Sequence, residues 1–270
     1  MNINIKFLCC GAAVWLFPQY AVGQCAVTDC LQLGYTSLKS CDGGVKCPFG
    51  EYWACPKVEE KAVLGECTGY AKNCSIGQIL NSDGTCTTDK VTGKTPIAVV
   101  IYISDDKKCG QAMSLIPIRM KPWAYSHGSN PDVPVLNNYY YYVDAFTDKD
   151  SCGSTKLLKN YDTTKNYKAL WAALEYFPAS APETLGKWCL PAAGVLHNIY
   201  SNITVINNGL AKSGGEVLQN DNERIWSITE KDGEDVWVFS IGASEAEEGL
   251  LANSKYGSDF YRSTRPVIEF

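Results

Sequence analysis

The stretch Ile225-Trp226-Ser227-Ile228-Thr229, followed by Asp232-Gly233 and then Val236-Trp237-Val238-Phe239-Ser240-Ile241, decides the class of fold. Both arms are rich in β-branched and aromatic residues, which favour strands. The Asp232-Gly233 step suits a tight reversal, because glycine reaches the backbone angles that such a turn demands. The arms therefore predict an antiparallel pair, and Arg265–Phe270 adds a third strand. Two helices precede them. Thr163 or Thr164 can cap the first, in which Tyr167, Leu170, Trp171, Leu174 and Phe177 recur at helical spacing until Pro178 and Pro182 end it. The second starts at Pro191 and carries the stripe Val195, Leu196, Ile199 and Ile203. Ile206 and Leu210 continue it past a break near Thr204, and Gly214-Gly215 stops it. Further upstream, Ile97–Ile103 reads as a strand, Met113–Ile118 as a strand cut short by Pro117, and residues 121–134 as loop. Strands, two helices and then a β meander make an α+β fold rather than alternating βαβ units.

Cysteine marks a change of physics along the chain. Thirteen cysteines in 270 residues are too many for an ordinary cytosolic enzyme. Cys25, Cys30, Cys41, Cys47, Cys55, Cys67, Cys74 and Cys86 crowd one polar region, whereas Cys109, Cys152 and Cys189 are scattered beyond it. So little apolar sequence needs staples, and four disulfides, worth about 2–4 kcal/mol each, are the natural reading. Eight cysteines allow 105 pairings, and spacing does not choose among them. Zinc fits poorly: no Cys-x-x-Cys pair occurs, and both histidines, His127 and His197, lie elsewhere. Asp83-Gly84 between Cys74 and Cys86 suggests a small hairpin closed by those two cysteines. Residues 87–95 resemble a linker. The expected organisation is a leader over 1–23, a disulfide-stapled module over 24–92 and a larger domain over 93–270.

The leader rests on Lys6, the apolar run from Phe7 to Phe17, and the small residues Ala21 and Gly23 before Gln24. Eleven apolar residues are too few to span a hydrocarbon core about 30 Å thick. Gln24 before Cys25 is not the small residue that lipid attachment prefers. No later segment is long and apolar enough to cross a membrane. Export to an oxidising compartment follows, with the protein secreted, periplasmic or at the cell surface. Loss of the leader removes Lys6, Cys9 and Cys10, leaving an odd cysteine count and taking the formal charge from −5 to −6. An acidic balance argues against nucleic acid and against anionic membrane as partners.

Trp188-Cys189-Leu190-Pro191-Ala192, then Leu196 and Tyr200, then Ile206-Asn207 and Leu210 resemble a "W-x-LP-x-x-x-EL-x-x-LY … IN-x-x-L" pattern. Ile225–Glu230 is similar to "YWSSTE", Val236–Phe239 to "AWYVNF" and Arg265-Pro266-Val267 to "VRPV", while Asp148–Thr155 stands where a "DxDGxGNT" stretch is common. In order and spacing, residues 95–270 resemble the Lcl C-terminal domain family, named for a bacterial collagen-like adhesin and related to the major paralogous domain. The resemblance implies a C-type-lectin-like fold with first and last strands paired, here Ile97–Ile103 beside Arg265–Phe270. It implies core roles for Trp226 and Trp237. It also implies a ligand surface near the loop before the central strands. The family's adhesin binds sulfated glycosaminoglycans, a ligand this acidic chain does not suit. Val195 stands where the family often carries Glu, and the EPN, QPD and WND signatures of calcium-dependent sugar binding are absent.

Catalytic chemistry finds little support. His127 sits in a Pro/Gly loop without a nucleophile-elbow context, and His197 lies beside a helix stripe as a structural or surface residue. Asp144, Asp148 and Asp150 offer oxygens of the kind calcium takes, but not in EF-hand order, so a solvated acidic loop is preferred and no metal site is assigned. Sugar binding would use exposed aromatics and amide or carboxylate side chains. Gln219, Asn220, Asp221, Asn222 and Glu223 supply the latter. Tyr139–Tyr142, read as a strand, turns Tyr140 and Tyr142 to the outside. Arg265 is expected to pair with Glu230; removing one partner of a buried pair costs about 3–5 kcal/mol. The reading is an exported bacterial binding protein, an adhesin without enzymatic activity, that recognises a glycan or a surface protein. The alternatives are a structural component of a surface assembly, linked through the odd cysteine or by self-association, and an enzyme of the formylglycine-generating type.

Overall fold

A computed structural model describes residues 45–46, 53–54, 70–119, 122–124, 133–176, 188–219, 224–243, 246, 248–256 and 262–270. The expected leader, His127 and Cys25, Cys30, Cys41, Cys47, Cys55 and Cys67 lie outside them. The chain divides into two units, residues 1–56 and 57–270. In the first, β1 (Val45–Lys46) pairs antiparallel with β2 (Trp53–Ala54). The second runs through a 3-10 turn (Tyr70–Asn73), β3 (Ile79–Asn81), β4 (Cys86–Thr87), β5 (Pro96–Ile103), β6 (Gly110–Ser114) and β7 (Ile118–Arg119). Then come α1 (Tyr142–Ala145), α2 (Ser151–Tyr161), α3 (Lys168–Leu174), β8 (Trp188–Cys189), α4 (Ala193–Ser213), β9 (Arg224–Glu230), β10 (Asp235–Ser240), β11 (Leu250–Ser254), β12 (Arg262–Thr264) and β13 (Val267–Glu269).

Two sheets result, ordered β4-β3-β5-β6-β13-β8 and β11-β10-β9-β12-β7. The first is antiparallel throughout; in the second, β12 runs parallel to β9. Helix α4 packs against β3 and β5 of the first sheet and β9 and β10 of the second. Its Val195, Leu196, Ile199, Ile206 and Leu210 share one core with Val99, Ile101, Trp226, Val238 and Phe239. Successive strand residues face opposite sides, so Ala98 and Val100 join a second cluster with Leu80, Trp188, Ile268 and Phe270. Strand β5 is thus buried on both faces, which is why it reads as one apolar run. Each large apolar side chain so buried contributes about 1.5–3 kcal/mol.

The α+β class, α4 and the β9–β10 hairpin agree with the sequence, and so does the existence of α3. However, α3 starts at Lys168 rather than behind a Thr163 or Thr164 cap, because the Asp162 carboxylate takes the Thr164, Asn166 and Tyr167 amides and holds that stretch as a turn. Gly214 ends α4 in the left-handed conformation, at φ 83°. The break falls at Asn202 rather than Thr204: its side chain donates to Asn198 O at 2.9 Å and competes for the carbonyl its own amide would use. Helix α2 is an addition, started by Asp150, whose carboxylate accepts the Gly153 amide at 2.8 Å.

Three expectations need correction. The Cys74–Cys86 hairpin is closed by a disulfide, but β3 pairs with β5, so it belongs to the larger unit rather than to a module ending at 92. The first and last strands are not neighbours: β6 lies between β5 and β13. Pro266 also breaks the closing strand, leaving β12 in one sheet and β13 in the other. Cys152 and Cys189 form a second disulfide, between α2 and β8, and Cys109 is disulfide-bonded too, so none of these three is the odd thiol.

Candidate functional site

Strand β9 carries the candidate surfaces at its two ends. The loop from Glu216 leads into Arg224, its first residue. The tyrosine segment attaches at Glu230, its last, where Tyr139 donates its amide to Glu230 O at 2.9 Å. Six residue steps at about 3.3 Å each put roughly 20 Å between those attachment points. In the loop, Gln219 is exposed, while Asn220, Asp221, Asn222 and Glu223 lie outside the described residues. Asn207 of α4 holds the loop's start, exchanging two hydrogen bonds of 3.0 and 2.8 Å with the Leu218 backbone.

The other end is fully described. Tyr139 is held from both sides, because Trp237 Nε1 donates to its carbonyl at 2.6 Å. Beyond this anchor Tyr140 and Tyr141 stand 43% and 38% exposed, their rings edge to face with centroids 5.2 Å apart. The segment is not a strand, so alternation fails. Tyr142 opens α1 and turns its ring edge to Phe146 at 5.4 Å, and Phe146 stacks on His197 at 3.7 Å. Tyr141, not Tyr142, is the second outward tyrosine. Lys231 reaches over the Tyr140 ring at 5.4 Å and pairs with Asp232 and Asp235 at 3.3 and 3.6 Å. Asp232 also folds the turn, its carboxylate accepting the amides of Glu234 and Asp235 at 2.9 Å.

Beneath this tyrosine face lies a buried ion pair. Lys255 and Glu230 are in direct contact, both fully buried. This corrects the expected Glu230–Arg265 pair. The parallel register Arg262↔Arg224 and Ser263↔Ile225 carries Arg265 level with the middle of β9, short of Glu230. Arg265, also fully buried, donates instead to Glu216 O at 2.8 Å. Lys255 further donates to the carbonyls of Asp232 and Gly233, each at 2.8 Å, which uses its three protons. Its ammonium lies 5.7 Å from the Trp123 ring, and Trp123 Nε1 donates to Ser227 O at 2.9 Å. The Tyr256 phenol is pushed above its ordinary value, first by burial and then by the carboxylates of Glu234 and Glu230. Trp226 and Trp237 are buried, as packing roles require.

The three aspartates do not converge. Asp150 caps α2. Asp148 is buried and accepts the Thr229 hydroxyl at 2.6 Å, while that hydroxyl accepts the Ala193 amide at the start of α4. Asp144 is exposed on α1. Among the described residues no group of acidic, histidine or cysteine side chains is arranged to hold a metal ion. Sequence reasoning missed Lys255, Lys231 and Trp123. Nothing local marks Lys255, whose partners lie more than twenty residues away.

A solved fimbrial protein from Bacteroides ovatus ATCC 8483 is similar, with a TM-score of 0.53 at 14% identity over 73% of this chain and 49% of that one. At that identity the likeness is one of fold, and this chain spans about half the length of that structure. No family model matches the chain, and no curated protein does. Among the described residues no helix is long and apolar enough to cross a membrane.

Proposed function

We propose that the protein is a non-enzymatic adhesin that binds a neutral glycan through Tyr140 and Tyr141. The exposed edge-to-face tyrosine pair carries this reading. Aromatic faces stack on the apolar faces of sugars, and the adjoining Lys231, Asp232 and Asp235 offer donors and acceptors for hydroxyls. The acidic turn and the net charge of −5 favour a ligand without sulfate. The fold shared with a fimbrial protein and the resemblance of residues 95–270 to a lectin-like adhesin domain point the same way. The decisive experiment is an array of neutral and sulfated glycans probed with the chain and with Tyr140→Ala/Tyr141→Ala. Saturable binding of neutral glycans, lost in the double variant, is expected. Binding that survives the variant would move the site to the loop at Gln219. A silent array would favour the second reading, a structural component of a surface assembly.

A further inference from the structure

We infer that Lys255 is the positioning residue of the tyrosine face, and that one buried ammonium sets both of its walls. The inference deepens the reading of Tyr140 and Tyr141 as a ligand surface, and its geometry stands apart from the ligand's identity. The first wall is the segment from Val133 to Tyr141. Glu230 holds it at two points, its carboxylate accepting the Val133 amide at 3.0 Å and its carbonyl accepting the Tyr139 amide at 2.9 Å. The second wall is the turn after β9, from which Lys231 reaches Tyr140. Lys255 ties the two together: its ammonium meets the Glu230 carboxylate and takes the carbonyls of Asp232 and Gly233. Its backbone anchors the same corner, the amide donating to Glu234 O at 3.0 Å and the carbonyl accepting from the Ala124 amide at 3.1 Å.

The burial explains why such a pair would position a surface rather than merely decorate a core. Both side chains are fully buried, so neither charge finds water as a substitute partner. An exposed pair tolerates many geometries; a dry one that also satisfies backbone groups holds one. The tyrosines are therefore fixed before any ligand arrives, and the cost of ordering them falls on folding rather than on binding. Charge alone would not do this. The ammonium has to direct three protons at three acceptors between Glu230 and Gly233, and it reaches the Val133–Tyr141 wall through the Glu230 carboxylate; a neutral side chain of similar length does not do this.

The test is hydrogen exchange of the full chain, resolved by mass spectrometry, comparing wild type with Lys255→Met. The Val133 and Tyr139 amides and the turn at 231–235 should exchange at least about tenfold faster in the variant, while β5, β6 and β13 change less than about twofold. If Lys255→Met fails to fold, Glu230→Gln/Lys255→Met leaves no unpaired buried charge and carries the same readout. Wild-type rates at those amides, or a uniform rise across both sheets, would overturn the inference. A neutral-glycan array on the same variants separates the two claims. Weakened glycan binding with intact β5 and β6 supports positioning, whereas undiminished binding by a variant with loosened amides overturns it. An array silent for wild type removes the glycan reading and leaves exchange to decide the role of Lys255.

Discussion

Asp162 accepts the indole N–H of Trp171 at 2.7 Å, and the same carboxylate takes the amides of Asn166 and Tyr167 at 3.0 Å and of Thr164 at 3.3 Å. One side chain thus shapes the α2–α3 connection and opens α3. Burial alone would raise its pKa, but the amides of Tyr167 and Asn166 and the Trp171 indole outweigh it and hold the carboxyl below its ordinary value. Asp162→Ala should cost about 1.5–3 kcal/mol at neutral pH, the range for hydrogen bonds to a charged group. The lowered pKa gives stability that is present above the unfolded carboxylate's value of about 3.9 and lost as pH falls through the lower folded value. The gap between wild type and variant should therefore narrow below pH 4. Denaturant titrations at pH 7 and pH 3 check it.

Lys149 has the opposite sense. Burial lowers its pKa to about 8, with Asp148 opposing. Below that value the folded chain carries a charge that the unfolded chain carries more easily. Stability from this group therefore rises between pH 8 and the unfolded value near 10.4. Relative to wild type, Lys149→Met should look most favourable below pH 8 and lose that advantage by pH 10. Parallel melting series at pH 7, 8.5 and 10 would show the trend; a constant difference would refute it.

The two described disulfides should differ in worth. Cys152–Cys189 spans 37 residues and Cys74–Cys86 spans 12. On the chain-entropy account, the first contributes about 4 kcal/mol and the second about 3 kcal/mol. Replacing each pair with serine and comparing unfolding midpoints should rank them in that order.

Gly209 and Gly77 allow α4 to lie against the start of β3. A Cβ on Gly209 would come within 2.2 Å of Gly77 O, whereas one on Gly214 would meet nothing within 4 Å. Gly209→Ala should cost about 1–3 kcal/mol through overpacking. Gly214→Ala, at φ +83°, carries a backbone penalty of about 1–2 kcal/mol and leaves packing untouched. Exchange at Gly77 and Val205 should respond to the first variant and not to the second.

Helix α4 and the β9–β10 hairpin were legible because their signals are local: a periodic stripe, a glycine stop, an Asp-Gly turn. Helix α2 was not, since Ser151 and Thr155 face its buried side and blunt the apolar pattern. Strand β11 hides in Leu250–Ser254, which has no β-branched or aromatic residue, and pairing with β10 supplies what propensity does not. At the candidate site, Tyr140 could be read as exposed. Tyr142 could not be placed correctly, because a four-tyrosine run looks the same in a strand and in an irregular segment that turns into a helix. The partner of Glu230 was beyond reach for a further reason: a buried ion pair is written by tertiary register, here through the β10–β11 hairpin, and leaves no spacing rule.

The pairing Ile79↔Val99 and Leu80↔Ala98 has a practical consequence. A fragment cut at residue 93, where composition changes, would lose β3 and β4 and bare one side of the eight-residue β5. That side is apolar, with amides and carbonyls seeking a new strand, the usual route to edge-to-edge aggregation. The hairpin closed by Cys74 and Cys86 thus guards the sheet against its own copies. Recombinant work on the larger unit should begin before Tyr70.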